Sequence, residues 1–261
     1  TQGVSSAASD VYKRQVHVWG DNTYGQRGIE AKNSKYSQYA SFTVKGASAG
    51  DNADGALNDF IDITIGDTFI SALRRDGNVF SWGSGSYGQI GKGFFTEALA
   101  PTQAVNGESA SSTAYLRNIV KISAGAYHNI ALSDDSSVYA WGRNDNGQLG
   151  NGTTNNSTTP VRVRNQWMDG SDQLAIEISA GGEHTVVVTK SGTVYAWGLD
   201  AEGQVGLGAL VSGADKQTSY LVPQQIASGD STSTDDLYFR DALTVSAGNA
   251  HVTLLKKDGS V

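Results

Sequence analysis

The dipeptide Trp-Gly occurs at Trp19-Gly20, Trp82-Gly83, Trp141-Gly142 and Trp197-Gly198, at separations of 63, 59 and 56 residues. Six residues after each Trp the same word begins: Gly25-Gln26-Arg27-Gly28, Gly88-Gln89-Ile90-Gly91, Gly147-Gln148-Leu149-Gly150 and Gly203-Gln204-Val205-Gly206. A second anchor, Gly66, Gly125 or Gly181, precedes each later Trp by 16 residues, and Gly248 is a further copy whose Trp would fall at position 264. His128, His184 and His251 follow their glycine by three residues, where the earlier unit has Phe69. A period of this size marks a repeat architecture, in which each unit buries its apolar surface against its neighbours.

The units run at about 16–75, 76–134, 135–190 and 191–257, with a fifth starting at 258. Length varies only between the Gly-Gln-x-Gly word and the next Gly-x-x-His, in inserts around Ala31–Leu57 and Ala209–Asp236 that are rich in Ser, Thr, Asp, Asn and Gly. Such segments read as surface loops, where added length costs little. The chain has 32 Gly, 11 Tyr and 5 Trp against 3 Pro, a balance that suits many tight turns between short strands.

One unit shows the strands. Pro160 to Arg164 alternates, with the proline placed at the strand's start; Ala175 to Ser179 alternates again with one apolar face. His184 to Thr189 is apolar through its centre, Lys190-Ser191-Gly192 signals a hairpin, and Thr193 to Trp197 returns. Four short antiparallel strands per unit predict an all-β chain, a β-propeller of four-stranded blades. The fixed residues then have physical tasks. The Trp rings are expected to be buried, and Gly20, Gly83, Gly142 and Gly198 to allow close approach or positive φ. Gln26, Gln89, Gln148 and Gln204 can satisfy backbone groups left unpaired by a tight turn. Ile90, Leu149 and Val205 are placed to pack between blades, and Arg27 departs from them.

Several chemistries are set aside. With no Cys there is no disulfide, thiolate metal site or cysteine nucleophile. The net charge of −7 comes without a basic stripe, which argues against nucleic-acid partners. No stretch approaches the ~20 apolar residues that span a bilayer. Gly83-Ser84-Gly85-Ser86-Tyr87-Gly88 has dinucleotide-fingerprint spacing but leads into Gln89-Ile90-Gly91 and not a helix, so it reads as a repeat loop. The three histidines lie on different blades and read as structural, not as a metal cluster, and His17 takes a strand position held elsewhere by Phe80, Tyr139 and Tyr195. Asp51, Asp54, Asp235 and Asp236 lack calcium-loop register. Asn151, Asn155 and Asn156 are formal glycosylation sequons in a Thr/Asn-rich loop. No catalytic, metal or cofactor residue is assigned.

The run Val138-Tyr-Ala-Trp-Gly-Arg-Asn-Asp-Asn-Gly-Gln-Leu-Gly150, followed by Ile178-Ser-Ala-Gly-Gly-Glu-His-Thr185, resembles the repeat of the regulator of chromosome condensation, in phase from Val16 to Val261. The resemblance implies a seven-bladed propeller whose members work mainly by binding macromolecules. They include an exchange factor for a small GTPase, a plant ultraviolet receptor, ubiquitin-ligase domains and bacterial β-lactamase inhibitors. Similarity starts abruptly at Val16 and stops after Asp258-Gly259-Ser260-Val261, so both ends read as truncations and about four blades of seven are expected. Residues 1–15 resemble a translated sequencing-adapter artefact of metagenomic fragments and are read as a non-native or unstructured leader. Open blade faces predict that this chain alone self-associates or is poorly soluble.

Between each Trp-Gly and Gly-Gln word lies a loop of constant length and varying content. Asn22, Thr23, Tyr24, Ser86, Tyr87, Arg143, Asp145, Asn146, Asp200 and Glu202 are the candidate partner-binding residues. The resulting expectation is a protein-binding scaffold without catalysis, bacterial, and secreted or at the cell surface. Its partners would be another protein and the remaining blades of its parent chain. An exchange factor for a small GTPase and a structural array in a large cell-surface protein are the alternatives.

Overall fold

Strands such as His128–Ser133 and His184–Thr189 bury every residue, and a strand hides both faces only between two other layers. A computed structural model, which describes residues 15–29, 42–43, 58–107, 114–164, 173–208, 218–228 and 238–261, supplies those layers as consecutive antiparallel sheets. Most of the leader and of both long inserts, with Asp51, Asp54, Asp235 and Asp236, lies outside the described residues.

The first sheet pairs β1 (His17–Val18) with β2 (Phe42–Thr43). The second is β3 (Phe60–Ile65), β4 (Phe69–Arg74), β5 (Val79–Gly83) and β6 (Ala98–Gln103), in that order from inside out. The third repeats it with β7 (Ile119–Ala124), β8 (His128–Ser133), β9 (Val138–Gly142) and β10 (Ser157–Arg162). The fourth has β11 (Ala175–Ala180), β12 (His184–Thr189), β13 (Val194–Leu199) and β14 (Ser219–Gln225), and the fifth pairs β15 (Ala242–Ala247) with β16 (Val252–Lys256). Successive sheets pack through their inner strands, β3 on β7, β7 on β11 and β11 on β15, as propeller blades do. Among the described residues no helix is long and apolar enough to cross a membrane.

Sequence units and sheets are out of phase. The unit at 76–134 contributes β5 and β6 to the second sheet and β7 and β8 to the third. Each unit therefore bridges two sheets covalently. The non-covalent joints recur with the same period. Trp82 Nε1 donates to the Gln26 carbonyl at 2.8 Å, Trp141 Nε1 to that of Gln89 at 3.0 Å, and Trp197 Nε1 to that of Gln148 at 2.9 Å. These three indoles are fully buried. Trp19 is not: it is 72% exposed, because among the described residues no Gln carbonyl or neighbouring sheet precedes it. Along the inner strands one hydroxyl makes each joint: Thr64 Oγ1 accepts from the Ala124 N–H, Ser123 Oγ from Ala180 and Ser179 Oγ from Ala247.

Two strand expectations are corrected. Ala175 and Ile178 are buried while Ile176 is 44% exposed, so Ile176 and Ile178 do not share one apolar face. A bulge between Ala175 and Glu177 flips the alternation, and it recurs at the start of β3, β7 and β15. Pro160 stands inside β10 and not at its start. Pro101, Pro160 and Pro223 all sit where the outermost strand skips register, a place that asks for no ladder N–H.

Replacing Trp141 by Ala removes a buried ring and its inter-sheet bond together. Urea titration of the variant should show a loss of about 3–5 kcal/mol, whereas an unchanged midpoint would mean that the joint carries no stability.

Candidate interaction face

The four loops after Trp-Gly share one frame. The Gln Oε1 of each word accepts the N–H of the residue two places before it: Tyr24 at 2.9 Å, Tyr87 at 2.9 Å, Asn146 at 3.0 Å and Glu202 at 2.8 Å. A second brace comes from within the loop. Asn22 Oδ1 accepts from the Arg27 N–H, Asn144 Oδ1 from Leu149 and Asp200 Oδ1 from Val205. The second sheet has Gly85 at this place because a Cβ there would lie 1.9 Å from the Thr96 carbonyl oxygen. This corrects two candidates: Asn22 and Asp200 are buried braces and do not face a partner.

Thr23, Tyr24, Ser86, Asp145 and Glu202 are exposed, while Tyr87, Arg143 and Asn146 are half-buried. Backbone bonds from Ser84, Arg143 and Leu199 to the carbonyls of Thr68, Tyr127 and Glu183 hold each loop against the Gly-x-x turn of its own sheet. Those turns bring in residues that sequence reasoning missed. Tyr87 and Tyr127 pack with ring centroids 5.2 Å apart, and the Arg143 guanidinium lies 5.3 Å from the first and 5.9 Å from the second. Arg143 also pairs with Asp145 at 2.7 Å and with Glu183 of the next sheet at 2.5 Å, and Asn146 Nδ2 donates to Glu183 at 2.7 Å. One signal could have found Tyr127 and Glu183: they are varying positions inside a recurring word, Gly-x-x-His with Phe69 once in place of the His, as the loop residues are in theirs.

The face is acidic. Asp21, Asp67, Asp145, Glu183 and Glu202 stand on it with the single guanidinium of Arg143, counted among the described residues. The Thr23 hydroxyl, bonded to Asp21 at 2.7 Å, helps hold that carboxyl below its ordinary range. Burial, then the charge of Asp67 and a hydrogen bond to it, raises the Tyr127 phenol, so it remains a neutral donor.

The histidines lie deeper. His128 and His184 are fully buried at the starts of β8 and β12, whereas His251 is exposed. Thr185 Oγ1 donates to the Gln148 carbonyl at 2.9 Å, so it accepts from His128 Nε2 at 3.0 Å, which makes His128 the neutral Nε2–H tautomer. Burial first, then the neighbouring imidazole, pushes His128 down to about 3 and His184 to about 4. His184 has no ring partner because the residue matching Thr185 in the next sheet is Val252. Each ring lies on its own glycine: a Cβ at Gly125 would stand 2.3 Å from His128 Cε1 and 2.3 Å from the Gly181 carbonyl oxygen.

With this geometry in view, residues 76–132, 135–188 and 191–255 match the regulator of chromosome condensation (RCC1) repeat. The chain belongs to the RCC1 repeat family. A second form of the repeat matches 60–89, 119–148 and 175–204, the inner three strands of each complete sheet with the loop that follows. The chain is 35% identical over 201 residues to the probable E3 ubiquitin-protein ligase HERC6 of Homo sapiens, covering 76% of this chain and 17% of the ligase. It is 32% identical to the ultraviolet-B receptor UVR8 of Arabidopsis thaliana, covering 80% of this chain and 54% of the receptor. Two structures of the yeast RCC1 protein Prp20 share the fold, with TM-scores of 0.67 and 0.65 at 21% and 20% identity. Each covers 94% of this chain, and 50% and 53% of the yeast chain respectively. The chain thus spans about half the length of the receptor and of Prp20.

Two predictions concern the buried imidazoles. The folded state holds them neutral, whereas the unfolded chain takes up protons near 6.5. Stability is therefore full above that pH and falls as pH drops towards about 4. His128→Phe, which copies Phe69, should reduce the slope over this window by up to about 1.4 kcal/mol per pH unit in urea titrations at stepped pH. Val252→Thr should give His184 a hydroxyl partner and raise stability at neutral pH by about 1 kcal/mol. No gain, or a loss, would place His184 Nε2 elsewhere.

Proposed function

We propose that this propeller is a protein-binding platform with no chemistry of its own, and that it recruits a partner bearing a basic segment to the loop face. One observation carries the reading. Each loop is framed by a Gln side chain that accepts a backbone N–H, joined in three of the four by a buried Asn or Asp that accepts another, while the exposed positions differ from sheet to sheet. A scaffold that repeats its supports and varies its display suits recognition. The excess of carboxylates selects for a cationic partner and steers its approach, and Tyr24 offers an aromatic anchor. Support comes also from the company the fold keeps: one Prp20 structure is bound to Kap60, and the other is described with its binding to Gsp1p and histones.

The test is affinity capture from the source proteome with the wild-type chain and with a chain carrying Asp145→Lys and Glu202→Lys. Proteins held by this face should be enriched at low salt, weakened by raised salt and depleted about tenfold or more by the double reversal. Equal capture by both chains would defeat the reading.

A further inference from the structure

We propose that Phe94 and Phe95 form a two-ring anchor that enters an apolar pocket, rimmed by Lys or Arg, on the partner protein. The inference rests on the protein-binding reading above and adds where the partner is gripped. Phe94 is 68% exposed and Phe95 56%. Among the described residues they are the one pair of chain neighbours that holds two large apolar side chains in solvent. They stand in the second sheet, between Gly91 and β6, on a segment that leans on the third: the Gly93 N–H donates to the Thr158 carbonyl at 2.8 Å.

The fold does not ask for these rings. In the third sheet a segment of the same length, between Gly150 and β10, carries Thr153 and Thr154 at the two positions, and Gly152 makes the matching bond to the Leu221 carbonyl. What differs is the brace. In the third sheet Asn144 reaches across, its Nδ2 donating to the Thr153 and Asn155 carbonyls at 2.9 and 3.0 Å. The second sheet has Gly85 instead, so the Thr96 carbonyl closes onto the space a side chain would take. Lys92 Nζ then donates to the Glu97 carbonyl at 2.5 Å and ties the two ends of the segment together. The tip is held with both rings in water. An aromatic pair fixed in advance loses little entropy on docking, and each ring can bury about 150–250 Å². Solvent-exposed apolar groups on a braced loop mark a contact site.

The surroundings select protein over lipid. Loops that dip into a membrane interface carry cations for anionic headgroups. Between 84 and 97 the one cation is Lys92, and it is half-buried and turned onto the Glu97 carbonyl. Glu97 follows the pair in the chain, and the loops on either side carry Asp21 and Asp145. Such a setting repels an anionic bilayer and suits a pocket with a basic rim.

The photo-crosslinking residue benzoylphenylalanine, placed at position 94 or 95 and illuminated in an extract of the source proteome, should form adducts with protein. Peptide mapping should put them in one apolar pocket with Lys or Arg at its rim. The F94T/F95T chain, which copies Thr153 and Thr154, should keep the wild-type melt, since both rings are exposed, and should capture the crosslinked protein about tenfold less or weaker still. Vesicles of phosphatidylcholine, with or without phosphatidylserine, should not bind the wild-type chain. Vesicle binding that F94T/F95T abolishes would overturn the proposal in favour of a bilayer. Equal capture by the wild-type and F94T/F95T chains, or no protein adduct from either position, would overturn it outright. Should F94T/F95T melt early, the adduct map decides alone. The two readings fail separately: capture lost with F94T/F95T but kept with Asp145→Lys and Glu202→Lys defeats the acidic-face reading and keeps the anchor, and the converse defeats the anchor alone.

Discussion

In the first three Gly-Gln-x-Gly words the glutamine works in two directions. Its side chain turns back to close its own loop, and its main-chain carbonyl faces the following sheet, where an indole N–H meets it. The Gln89 and Gln148 carbonyls each accept a second bond from that sheet, from Asn129 and Thr185. A peptide oxygen with both lone pairs used in a dry interface resists being pulled apart, because separation would strand the acceptor. Loop shape and sheet spacing therefore depend on the same residue. A change that loosens the turn also loosens the joint.

The inner strands impose a second constraint. Gly66, Gly125 and Gly181 leave no room for a Cβ, since each would meet both its own aromatic or imidazole ring and the carbonyl oxygen of the next sheet's glycine. Sheets so close at one end can exchange backbone bonds directly, as Asp67 does with Ala126 and Ala126 with Gly182. Imidazole suits His128 because Thr185 gives it a polar partner; Phe69 fills the same place without needing one. The cost of burying a titratable ring then appears as acid sensitivity.

Much of this was legible in the sequence because the repeat reports on contacts that recur. Trp82, Trp141 and Trp197, the four glutamines and the glycine anchors keep their spacing because each unit must meet the next in the same way. The phase between unit and sheet was hidden, since a period says how often a contact recurs and not where a sheet begins. The bulge before Glu177 was hidden too: it arises from pairing, and alternation read along one strand assigns Ile176 to the wrong face. At the loop face, Asn22 and Asp200 looked like displayed polar groups because Asx residues serve turns and surfaces alike. Tyr127 and Glu183 were missed because they stand far along the chain from their partners, Tyr127 by 40 residues from Tyr87 and Glu183 by 40 from Arg143, and only the packing of successive sheets brings them together.

Because the loop frame is paid in buried amide and carboxylate groups, the exposed side chains carry almost none of the folding burden. Thr23, Ser86, Asp145 and Ala201 occupy one place in four successive loops, where the side chain is a hydroxyl twice, a carboxylate once and a methyl once. Substitution there changes the surface without moving the support, so charge and shape on this face can be set by a partner and not by the fold. Arg143 is the instructive exception. Resting against both Tyr87 and Tyr127, which pack on each other, and tied to Glu183, it spans three sheets, so it rigidifies the surface it belongs to. A partner meeting that cluster finds it already ordered, and little side-chain entropy is left to lose on binding.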